Sequence, residues 1–150
     1  MRPKRTQTKT RQPMTLSLSK DTVQVLKEQD VVFLKNRVKE TAVKIKMGLV
    51  NQTRLLTACS ELVRNMMRYA DGGVCIIEVV SSGRNNGIRL TFSDRGPGIP
   101  DIAAAMRDGF STGKSLGLGL PGTKRLVNEF DIKSKVGEGT VITILKWANG

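Results

Sequence analysis

From Asp94 to Gly119 the chain reads DRGPGIPDIAAAMRDGFSTGKSLGLG, a stretch with nine charged or hydroxyl side chains and six glycines. Gly96 and Gly98 flank Pro97 just after the apolar alternation Ile88, Leu90, Phe92. A strand therefore ends in a turn whose backbone can approach a ligand closely, with Asp94 as the carboxylate at the strand end. Gly113, Gly117 and Gly119 stand where a helical pattern over Leu118 to Phe130 begins. A glycine-rich loop opening a helix offers unpaired N–H groups and the positive end of a dipole, which together attract an anion. Either cluster alone is more often a structural turn. Together they bracket a phosphate-bearing ligand between a lone acid and a row of amides.

Upstream, Val74 to Val80 (VCIIEVV) reads as a buried strand, Ser81 to Gly87 (SSGRNNG) as a hairpin loop, and Ile88 to Ser93 as its partner. Before these, Thr22 to Lys27 alternates as a short strand that Thr15 to Ser19 can extend. Asp30 is placed to cap a helix to about Lys46, with Gly48 as its stop, and Asn51 to cap a second helix to about Tyr69. Downstream, Pro100-Asp101 starts a short helix to Asp108, Gly109 to Leu116 forms a lid, and Leu118 to Phe130 makes a third long helix that tolerates Pro121 in its first turn. Ile132 to Val136 and Thr140 to Trp147 close the chain as a hairpin about Gly137-Glu138-Gly139. This order predicts an α+β protein: a two-layer α/β sandwich with one mixed, mostly antiparallel sheet, helices on a single face and a site between the layers.

The second helix carries the pentad ELVRN, in which Glu61 and Asn65 lie four apart and project from one side. A carboxylate and a carboxamide there suit a general base and a hard oxygen ligand for magnesium. Arg68 follows three residues on, within reach of a phosphate. An isolated ExxxN is ordinarily just a solvated polar face; the downstream loops are what give it weight.

Composition removes whole classes of chemistry. The chain of 150 residues has no histidine, and Cys59 and Cys75 lack metal-ligand spacing, so Ser-His-Asp, Cys-His and histidine-zinc mechanisms are excluded. No apolar run approaches the ~20 residues of a membrane helix, no export signal is visible, and a cytoplasmic protein with no membrane partner is expected. Of the formal charge of +12, five units come from Arg2, Lys4, Arg5, Lys9 and Arg11. Residues 1–20 are expected to form a basic, disordered arm and residues 21–150 the folded domain. The arm interleaves no aromatic side chain with its charges, so nucleic acid is not the expected partner.

In this order and spacing, ELVRN, DRGPGIPD, GFSTGKSLGLGLPGTKRL and GEGT resemble the boxes of the GHKL (Bergerat) ATPase-kinase superfamily of histidine kinases, gyrase, Hsp90 and MutL. The resemblance runs from about Val23 to Trp147. Within the superfamily the chain is similar to the short anti-sigma-type serine/threonine protein kinases, above all the switch kinases of the stressosome. The resemblance implies ATP or ADP with Mg2+ as ligands, Glu61 as general base, Asn65 as magnesium ligand, and Asp94 as acceptor for the adenine amino group. It implies that Gly96 and Gly98 let the backbone pass the base, and that Gly109, Gly113 and Lys114 belong to the ATP lid. Gly117 and Gly119 would cradle phosphates, Thr140 would support the adenine pocket, and Arg68 and Tyr69 would lie near phosphate and base. Ile99, Leu118 and Leu120 would line the nucleotide.

The implied activity is phosphorylation of a STAS-domain antagonist on serine or threonine, freeing the kinase for a downstream phosphatase. The alternative is an anti-sigma factor that holds a sigma factor in a nucleotide-dependent complex. The basic arm extends beyond the family core, so no partner of the arm is implied.

Overall fold

A computed structural model of the chain describes residues 15–107 and 119–150. The expectations for the arm before Thr15 and for the lid from Gly109 to Leu116 lie outside the described residues. The elements run β1 (Leu16–Val25), α1 (Glu28–Lys44), α2 (Leu49–Ala70), β2 (Gly73–Ser82), β3 (Asn85–Asp94), α3 (Ile102–Ala105), α4 (Gly119–Leu126), β4 (Glu129–Lys135) and β5 (Gly139–Trp147). The sheet order is β1-β2-β3-β5-β4. Every pairing is antiparallel, so the described sheet holds no parallel pair of the kind a mixed sheet would need. The reason is topological: the helical connection returns β2 antiparallel to β1, and the β4–β5 hairpin slots β5 between β3 and β4, two strands that run the same way.

Strand periodicity places the core. Val23, Cys75, Phe92, Ile142 and Ile132 form one cross-strand row, and Ile77, Leu90, Ile144 and Phe130 the next. These rows meet Leu34, Val38 and Ala42 of α1 and Leu55, Ala58, Cys59, Leu62 and Met66 of α2 in one apolar cluster. Because Leu90 is fully buried on a central strand, truncating it to alanine would cost about 2–5 kcal/mol. Burial also pushes the Cys59 thiol up to about 12 and the Cys75 thiol upward as well, so both are inert packing groups.

Several element ends differ from their sequence reading. β1 opens at Leu16, so residues 16–20, expected in the arm, form its first half, with a register shift between Ser17 and Ser19. α1 starts at Glu28, and Asp30 sits inside its first turn, accepting from the Leu26 and Lys27 amides at 2.9 and 3.0 Å. Those two bonds hold the Asp30 carboxyl below the usual carboxylate range. Their help to α1 is therefore in place at neutral pH and is lost as acid protonates the group. α2 starts at Leu49 after Gly48, and Asn51 instead donates Nδ2–H to the Ala148 carbonyl at 3.2 Å. The third long helix is only Gly119–Leu126, because Glu129 and Phe130 already pair with Leu145 and Ile144 of β5.

The end of α1 uses no glycine. Lys46 takes the left-handed conformation (φ 60), its N–H donating to the Val43 carbonyl at 3.0 Å while Met47 donates to Ala42 at 2.9 Å. This is a Schellman closure, normally built on glycine. Lys46→Gly is expected to raise stability by about 1 kcal/mol, since it removes the left-handed strain while keeping both bonds. Urea unfolding of the two proteins side by side checks this, an unchanged midpoint counting against the strain.

Candidate functional site: an acid-anchored pocket between helix and sheet

The site gathers where α2 ends and β3 and β5 meet. Asp94 is the last residue of β3 and stands opposite Thr140 of β5. Its Oδ1 accepts from the Gly96 amide at 2.9 Å and from the Thr140 amide at 3.2 Å. One carboxylate oxygen thus fixes the turn after β3 and the start of β5. The other oxygen, Oδ2, accepts no hydrogen bond from the described residues.

Behind this lies a network that sequence reasoning missed. Ser134 Oγ on β4 stands 2.7 Å from Thr140 Oγ1, takes the Ile99 amide at 2.7 Å, and lies 3.1 Å from the Gly139 carbonyl. The Gly137 amide donates to the Pro97 carbonyl at 2.9 Å. The loop after Asp94 is therefore strapped to the β4–β5 turn by main chain and by one hydroxyl. The available signal was register, since Ser134 lies directly across from Thr140.

Glycine is required here by the protein itself. A Cβ on Gly96 would meet that of Ala70, at the end of α2, at 2.6 Å. One on Gly98 (φ +80) would lie 2.4 Å from the Lys135 carbonyl oxygen. The clearance expected for a ligand is at these two positions taken up by α2 and the closing hairpin. It lets the loop lie against both.

Glu61 is buried, 6% exposed, with its carboxylate 3.2 Å from Arg64 Nη1. Arg64 also escaped the sequence reading, although its i,i+3 offset from Glu61 was visible. Asn65, one turn on from Glu61, is half-buried, and its side chain makes no hydrogen bond to a described residue. Arg68 is exposed, its guanidinium 5.8 Å from the Tyr69 ring centroid, and Tyr69 is 46% exposed. Gly119 (φ +72) is the first residue of α4, Leu120 and Thr123 are its buried side, and Thr123 Oγ1 donates to the Gly119 carbonyl at 2.9 Å. Gly109, Gly113, Lys114, Gly117 and Leu118 lie outside the described residues. The described groups fit a purine nucleotide: an acceptor oxygen at a rigid strand end, and on the adjoining helix a carboxamide without a partner among the described residues.

Residues 50–148 match the family described as histidine kinase-, DNA gyrase B-, and HSP90-like ATPase. The chain belongs to that family, and membership implies a nucleotide as ligand. Within it, the chain is 45% identical over 125 residues to serine/threonine-protein kinase RsbT of Bacillus subtilis (strain 168), covering 83% of this chain and 94% of that protein. It is also 32% identical over 101 residues to the anti-sigma F factor of Anoxybacillus flavithermus, covering 63% of this chain and 68% of that one. In fold it is similar to the crystal structure of the RsbU and RsbW domains of Rv1364c from Mycobacterium tuberculosis, with a TM-score of 0.60 at 18% identity, covering 85% of this chain and 32% of that one.

Ser134→Ala would leave the Ile99 amide and the Thr140 hydroxyl without their partner. The expected cost is about 1–3 kcal/mol of stability together with weaker nucleotide binding, read by chemical denaturation and calorimetry. Unchanged values in both would show that the strap is dispensable.

Proposed function

We propose that the chain is an ATP-dependent serine/threonine-protein kinase of bacterial stress signalling, with Glu61 as its general base. The protein phosphorylates a STAS-domain antagonist in the cytoplasm and, once released, engages a downstream phosphatase. The observation that carries this reading is a buried carboxylate one helical turn from a carboxamide that has no side-chain partner among the described residues, on a helix whose end abuts the Asp94 loop. The 45% identity to RsbT supports the choice of hydroxyl acceptor.

The chemistry asks mainly for placement and charge neutralisation. Asp94 Oδ2 accepts from the adenine amino group and sets the nucleotide's register. Tyr69 and Ile99 flank the base, and Arg68 reaches toward the phosphates. Glu61 takes the proton of the attacking hydroxyl as the oxygen–phosphorus bond forms, and the electron pair of the broken bridging bond leaves on ADP. Asn65 would hold Mg2+, which when bound neutralises phosphate charge. The amides opening α4 at Gly119 and the cation Lys114 are assigned to the phosphates, and Leu118 and Leu120 to the lining of the nucleotide.

The relatives named as anti-sigma F factors favour a second reading. In it the same pocket governs a nucleotide-dependent grip on a sigma factor, and transfer is secondary.

Asp94→Asn is expected to lose nucleotide binding by a factor of 100 or more, because an amide there turns a donor toward the adenine amino group; this is roughly 3 kcal/mol. Glu61→Ala should bind nucleotide normally and fail to label a STAS partner. Calorimetry and a phosphoserine assay read the two outcomes. Normal labelling by Glu61→Ala would remove the base assignment, and a retained grip on a sigma factor without any labelling by wild type would favour the second reading.

A further inference from the structure

The pairing of Arg64 with Glu61 raises a question that helix stability does not answer. An i,i+3 ion pair with one partner half in water contributes little to a helix, yet here it engages the buried acid of the site. The Glu61 side chain is 8% exposed and that of Arg64 is 49% exposed, so the arginine reaches inward from the rim. Its neighbour one turn on, Arg68, is occupied differently, lying over the Tyr69 ring. The two arginines of this face thus meet different groups, one the acid and the other the aromatic ring.

A carboxylate that serves as base for transfer from ATP must lie within a few ångströms of the terminal phosphate, itself anionic. Two like charges at that separation in a site with little water repel strongly, and the repulsion falls on ATP rather than ADP. A cation bound to the carboxylate's other side cancels its charge while leaving its second oxygen for the hydroxyl. The described contact falls on Oε1 alone.

We propose that Arg64 is a positioning residue that offsets the charge of Glu61, so that the base and the terminal phosphate of ATP can share one site. Arg64 thereby sets the preference for ATP over ADP through Glu61, with no contact to the phosphate. This rests on the reading of Glu61 as the base beside the nucleotide.

The test is a double-mutant cycle on the full chain, using ADP and the non-hydrolysable β,γ-imido analogue of ATP with magnesium, measured by calorimetry. Arg64→Met is expected to weaken the analogue about tenfold relative to ADP. In a Glu61→Gln background the same substitution should leave the ratio unchanged, and Arg64→Lys should restore most of the preference. Matching thermal midpoints, with Arg64→Gln as a second neutral variant, separate the effect from misfolding. An unchanged ratio in both neutral variants would overturn the proposal. So would a loss that persists in the Glu61→Gln background, which would mean that Arg64 touches phosphate directly. A lysine variant that behaves like methionine also overturns it, since charge then is not what matters. Wild-type protein that binds neither nucleotide is a separate result, and it removes the pocket itself.

Discussion

One oxygen of Asp94 joins two parts of this structure that lie far apart in the sequence. By accepting from Gly96 and Thr140 it ties the exit of β3 to the entry of β5, two points 46 residues apart in the chain. A buried or half-buried carboxylate receiving main-chain N–H groups is held far more rigidly than a surface acid, because each bond lost would leave an amide without a partner. That rigidity suits the other oxygen to the adenine-reading role proposed for it. Gly139 extends the same constraint, since its backbone (φ +123) runs so close to Asp94 that a Cβ would lie 2.1 Å from the Asp94 carbonyl oxygen.

The acid is useful only because the loop beyond it cannot drift. Ser134 and Gly137 hold Ile99 and Pro97 from one side, while Ala70 fills the space under Gly96 from the other. α2 is fastened at its far end too, where Gly48 and Asn51 both donate to Ala148 just past β5. The helix that carries Glu61 and Asn65 is therefore pinned to the sheet at both ends, and its middle is packed through Leu55, Ala58, Cys59 and Leu62. Groups that must keep sub-ångström registration sit on that rigid bar.

Periodicity made most of this legible. The 3.6-residue stripes of α1 and α2 and the alternation in β2, β3 and β5 placed the layers, and ELVRN with DRGPG supplied both halves of the proposed site. The element ends resisted, for local reasons. Lys46 closes α1 in a conformation that sequence assigns to glycine, so Gly48 looked like the stop. Glu129 and Phe130 continue the spacing of α4, and only their pairing with Leu145 and Ile144 shows them to be strand. Ser134 and Arg64 were unremarkable letters, because what matters is the partner each meets in space.

The chain is similar both to a protein named as a kinase and to proteins named as anti-sigma factors, so one fold is common to both readings of it. On the proposed reading, anchoring the nucleotide would fall to Asp94, the strapped loop and the amides opening α4, and these demands would be the same whether the nucleotide is consumed or merely sensed. Transfer adds one requirement, that a base stand close to the terminal phosphate without repelling it. That is a matter of charge within a single turn of α2, where a neutral neighbour for Glu61 and a cationic one would give proteins of the same shape with different tolerance for ATP. On the proposal for Arg64, the turn from Glu61 to Arg64 would be what separates holding a nucleotide from spending it.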